Sequence, residues 1–106
     1  MLYKFKSRAT ADLLMLEPAG RRLLEVLGRE PSDQGIFEPS DLPKLIQRLE
    51  EAIAQEEAML EEAERAAHAD GQTIRRPEVS LRQRLWPMRE MMRRSHAEGH
   101  PIVWGV

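Results

Sequence analysis

The sequence predicts an α+β fold: a small three- or four-stranded sheet with helices packed on one face, two of them forming a long antiparallel pair. Three observations lead there. Through residues 41–68, Leu42, Leu45, Ile46, Leu49, Ile53 and Leu60 recur at helical spacing with Glu50, Glu51, Glu57, Glu61 and Glu64 between them, which is one long helix with an apolar stripe. Strand-like segments stand at both ends of the chain, at residues 2–7 and 101–106. The segment after the acidic helix is rich in arginine, and only a short connection separates the two, so antiparallel packing sets opposite charges along one seam.

Residues 2–7 alternate, Tyr3 and Phe5 on one side and Lys4 and Lys6 on the other, as a half-buried strand does. After a short polar connection, Leu13, Leu14, Met15 and Leu16 are apolar at consecutive positions. Such a run suits a strand covered on both faces, or on one face with an oligomer contact on the other. A hairpin pairs the two strands. Pro18 fits the first turn of a helix and Gly28 the left-handed position past its end, while Leu23, Leu24 and Leu27 form its apolar edge.

Residues 29–35 carry loop chemistry, and Gly35, Ile36, Phe37 and Glu38 form a brief strand stopped by Pro39. The step from Leu16 to Ile36 would fit a right-handed parallel crossover. Ser40 or Asp41 is placed to cap the long helix, whose stripe fades into Ala58, Ala63, Ala66 and Ala67 before Asp70 and Gly71 end it. Residues 72–78 connect to a last helix, opened by a capping box of Ser80 and Gln83 and closed by Gly99. Pro87 within it calls for a kink or a restart near Trp86. The final strand-forming residues, Ile102, Val103 and Trp104, join the N-terminal hairpin.

The totals bound what the chain can do. Its 106 residues suit one domain, 1–106, and 42% apolar with 32% charged residues fits a soluble globular protein. A net charge of -2 gives no long-range pull on nucleic acid or anionic lipid. Without cysteine there are no disulfides, thiolate nucleophiles or cysteine-ligated metal clusters. The run at residues 13–16 is too short for a signal-peptide core, and nothing approaches the ~20 apolar residues that span a bilayer. The expectation is a cytoplasmic protein complete from Met1.

Each chemical reading meets an obstacle. Arg75, Arg76, Arg82, Arg84, Arg89, Arg93 and Arg94 could contact phosphates, but the acidic helix competes for them and only Trp86 and Trp104 offer indoles for stacking. The sequence therefore argues against nucleic acid. His96, Glu98 and His100 lie close together, yet Gly99 and Pro101 stop the helix that would put both histidines on one face, and His68 belongs near the opposite end of the pair. No metal or cofactor is expected. No serine has a nucleophile-elbow context, no glycine-rich phosphate loop exists, and exposed glutamates keep ordinary acidity. An enzyme would need a site built from distant residues, with a cleft near Arg21, Arg22 and Trp104 as the best place for it.

The opening residues 1–7, the block from Leu16 through Pro18 to Gly28, the Gly35-Ile36 turn and the closing Val103, Trp104, Gly105 and Val106 resemble a family of small bacterial proteins known as a domain of unknown function (DUF1840). The likeness spans essentially the whole chain. It implies a bacterial, cytoplasmic, single-domain protein and brings no activity and no functional residue.

The expectation is a small non-enzymatic interaction or regulatory protein that self-associates or binds a protein partner. Its candidate interaction surface is Trp86, Met88, Met91, Met92 and Trp104, since methionines adapt to partners. The competing reading of the same stripe is ordinary core, which a small domain needs in order to fold; a membrane-surface helix is the third. The alternative class is a small-molecule-binding protein or enzyme with an unrecognised pocket.

Overall fold

The computed structural model describes residues 2–73, 77 and 79–106. In chain order it has β1 (Leu2–Lys6), β2 (Leu13–Leu16), α1 (Glu17–Val26), β3 (Gly35–Phe37), a 3-10 turn at Pro39–Asp41, α2 (Leu42–Ala69), α3 (Leu81–Glu98) and β4 (Ile102–Trp104). The architecture is α+β, with a four-stranded antiparallel sheet of order β2-β1-β4-β3 and three helices, of which α2 and α3 pack along each other.

Strand β1 pairs with β2 in the register Leu2 with Leu16, Tyr3 with Met15, Lys4 with Leu14 and Phe5 with Leu13. The C-terminal strand joins the hairpin as expected, Phe5 opposite Trp104 and Lys6 opposite Val103. Beyond it lies β3, Ile36 opposite Val103 and Phe37 opposite Ile102. The crossover expectation fails here: β2 and β3 occupy opposite edges and run antiparallel. The place beside β1 that a crossover strand would take is filled by β4, arriving from the far end of the chain.

Alternation turns Tyr3, Phe5, Met15, Phe37, Ile102 and Trp104 inward, where all are buried with the helices' apolar residues. Phe5 sits at the centre of the aromatic group, its ring centroid 6.0 Å from Tyr3, 6.4 Å from Phe37 and 5.6 Å from Trp104. The Trp104 indole lies across Gly35, where a Cβ would fall inside the ring, and its Nε1–H donates to the Ser32 carbonyl at 3.1 Å.

The helix ends follow local chemistry. Pro18 stands in the first turn of α1, and past its end Gly28 has φ 77° while the Arg29 N–H reaches the Leu24 carbonyl at 2.8 Å. This is the left-handed stop that glycine permits. Leu23, Leu24 and Leu27 are fully buried. Ser80 and Gln83 form both halves of the capping box of α3.

Two expectations about the long helices are corrected. Asp41 does not cap α2, because the preceding 3-10 turn leaves it in a helical conformation (φ -85°, ψ -20°) from which its side chain makes no capping bond. Its carboxylate instead accepts from Arg29 at 3.4 Å. Pro87 does not restart α3, which runs continuously from Leu81 to Glu98 with the proline on an exposed side. The burial of Leu85, Met88, Met91 and Met92 in the core holds the helix together across the missing backbone bond.

Candidate interaction surface

The seam between α2 and α3 is where the charges were expected to meet. Arg82 binds Glu57 at 2.7 Å and Arg89 lies 3.8 Å from Glu50, which fixes the antiparallel alignment. The Leu81 N–H also donates to the Glu56 carboxylate at 3.2 Å. Arg93 turns to Glu90 on its own helix, and that hydrogen bond, reinforced by Arg89, holds the Glu90 carboxyl below the usual glutamate range. Arg75 and Arg76 lie outside the described residues.

The five residues put forward from the sequence are not brought together on a surface. Met88, Met91, Met92 and Trp104 are buried in the core, where they fill the space between sheet and helices and cannot contact a partner in the folded chain. Trp86 alone reaches solvent, at 37% exposure, and the guanidiniums of Arg82 and Arg89 lie 5.1 Å and 4.5 Å from its ring centroid. Arg82, Arg89 and Arg93 are thus engaged by glutamates, and the first two also by the indole. Helical spacing identified the stripe correctly as one face, and that face is the inner one.

Nor does the chemistry suggested for a cleft assemble. Trp104 is buried, and Arg21 pairs with Glu17 at 3.1 Å, which raises the guanidinium pKa further. Among the described residues no group of three histidine, aspartate or glutamate side chains could hold a metal ion. A concavity of about 940 Å³ is lined by Glu61, Glu64, Arg65 and His68, with Gln72 and Thr73 beside them. No described helix is long and apolar enough to cross a membrane.

The apolar surface lies elsewhere, on the side of the sheet that the helices leave open. Leu2 and Leu16 stand side by side across the β1–β2 pair, 60% and 68% exposed, with Leu14 next in line at 57%. Lys4 lies level with Leu14, and its ammonium is 3.6 Å from the Asp12 carboxylate. Lys6 follows on the same side and donates to the Val106 carbonyl at 3.2 Å. Farther across the sheet, Ile36 is also exposed. Three leucines at one corner of an open sheet, edged by two lysines and an aspartate, form a contiguous patch with a polar border.

Sequence reasoning saw part of it. The consecutive apolar run at residues 13–16 requires that alternate side chains be covered from outside the fold or left bare, and Leu14 and Leu16 are bare. Leu2 was missed, because its place beside Leu16 depends on the hairpin register.

Neither the curated proteins nor the solved structures offer a chain similar to this one. A family model does match, over residues 1–104, and it covers all the elements described above. The chain accordingly belongs to the domain of unknown function family DUF1840.

Proposed function

We propose that this is a small, non-enzymatic interaction protein of the bacterial cytoplasm whose docking surface is the open face of the sheet around Leu2, Leu14 and Leu16. One observation carries the reading: three large apolar side chains, each more than half exposed, are adjacent on a hairpin whose other face is buried in the core. Leaving such a patch in water has a cost of roughly 1 to 2 kcal/mol for each leucine. The fold had a ready way to avoid it, since polar residues at positions 2, 14 and 16 would satisfy the strand pattern equally well. The cytoplasm is proposed on composition, which is that of a soluble globular chain, and bacterial origin on the resemblance.

The test is site-specific photo-crosslinking in native cells. A photoreactive side chain at position 16 is expected to form adducts with polypeptide, whereas one at Glu51 on the exposed side of α2 is not. Adducts at position 51 and none at position 16 would overturn the reading.

A further inference from the structure

The geometry points to a second copy of this chain as the occupant of the open sheet face, related to the first by a two-fold axis that runs along the strands between β1 and β2. This rests on the reading of that face as a docking surface, and it adds the identity and orientation of the partner.

The layout of the face is self-complementary in that orientation. Its side chains form three rows across the hairpin. Leu16 is level with Leu2 and Leu14 with Lys4, and continuing the register by one step brings Asp12 level with Lys6. Asp12 faces this side, as its contact with Lys4 shows. A two-fold along the strands keeps every row at its own height and exchanges the two strands, so β2 of each copy lies across β1 of the other. Leu16 then packs on Leu2 of the second copy, Leu14 on the alkyl stem of its Lys4, and the Asp12 carboxylate meets the ammonium of its Lys6. Each contact occurs twice, as a closed two-fold interface requires.

Other arrangements lack this match. An axis across the strands, through the middle row, sets Leu16 against Asp12 and Leu2 against Lys6, which buries charges on leucines. Edge pairing of β2 with its own copy is limited to four residues, because α1 begins directly after Leu16. Sheets packed face to face lie about 10 Å apart with strands within about 30° of parallel, which suits an axis along the strands.

Area sets the strength. The three leucines with the stems of Lys4 and Lys6 offer on the order of 400 to 500 Å² per copy, below the roughly 800 Å² per partner of a stable complex. The dimer is therefore reversible, with Kd expected in the range of about 10 to 100 μM. Rows of paired charge favour it at low salt.

Sedimentation of the purified chain from micromolar to millimolar concentration tests this. The wild type is expected to move from its 12.2 kDa monomer mass toward twice that value as concentration rises. Leu16→Glu is expected to stay at the monomer mass throughout, with thermal unfolding monitored to show that the fold is kept. Asp12→Lys and Lys6→Asp are each expected to weaken the dimer about tenfold or more, because each sets like charges together twice. Mixing these two variants restores both cross-copy pairs, so a one-to-one heterodimer at wild-type strength is the decisive result.

A monomeric wild type over the whole range, an unaffected Leu16→Glu dimer, or no recovery on mixing would each overturn the inference. Crosslinks from position 16 to a different polypeptide, with a monomeric wild type, would remove the second copy and leave the docking face standing. No crosslink from position 16 would remove both.

Discussion

The hydroxyls of Ser7 and Ser95 lie 2.7 Å apart, tying the end of β1 to the last turn of α3 across 88 residues of sequence. Ser95 is fully buried, and Ser7 also accepts from the Ala9 N–H at 3.2 Å. Ser95→Ala removes one member of this link while Ser7 keeps its backbone donor, so the expected loss is about 1 kcal/mol in chemical denaturation. A Ser7→Ala, Ser95→Ala double-mutant cycle is expected to show coupling of about 0.5 to 1.5 kcal/mol; simple additivity would mean that the two hydroxyls do not bond in solution.

Leu49 and Leu85 anchor α2 and α3 in the shared core, 0% and 3% exposed. Leu49→Ala or Leu85→Ala is expected to cost about 2 to 5 kcal/mol, the spread reflecting how far neighbours relax into the space. Losses well below that range would place these side chains outside the core.

Gly35 is held by the indole of Trp104, which occupies the place of a Cβ. Because Trp104 is fixed by its bond to Ser32 and by Phe37, whose ring centroid is 4.7 Å away, it has little room to withdraw. Gly35→Ala is expected to lower stability by about 1 to 3 kcal/mol and to shift the emission of the buried tryptophan. An unchanged melting temperature would contradict the packing described for β3 and β4.

Glu90 titrates below an ordinary glutamate because Arg93 hydrogen-bonds its ionised form, with Arg89 assisting. A folded-state pKa below the unfolded one gives a stabilising contribution that is present above the unfolded value and lost as pH falls through the folded value. The carboxyl is solvent-exposed, so that contribution is small and the readout is the titration itself. Arg93→Gln is expected to move the Glu90 carboxyl signal toward the ordinary range in an NMR titration; an unchanged midpoint would assign the shift elsewhere.

What could be read from the sequence was what local chemistry decides. The stripe through Leu42, Leu45, Leu49 and Ile53, the cap at Ser80 and Gln83, and the stops at Gly28 and Gly99 need only neighbours within a few residues. Strand order needs more, since pairing Phe5 with Trp104 joins residues almost a chain length apart. Asp41 had the right side chain for a cap and the wrong backbone, which the 3-10 turn imposed. The methionines of α3 were legible as a stripe, but period alone does not say whether a stripe meets core or solvent. The candidate surface was half visible for the same reason: the run at residues 13–16 showed that the strand had two apolar sides, and only the sheet shows which one the helices leave uncovered.

Burial along α2 is uneven: its buried residues, Leu42, Leu45, Leu49 and Ile53, all lie in the first half. In the 28-residue α2, Glu56 and Glu57 bond to the start of α3, and no residue from position 54 to 69 is fully buried. Among the described residues the distal half carries exposed pairs such as Glu62 with Arg65, whereas the proximal half is clamped by leucines. On heating, the distal half is expected to unwind first, with far-UV ellipticity falling while Trp104 still reports an intact interior.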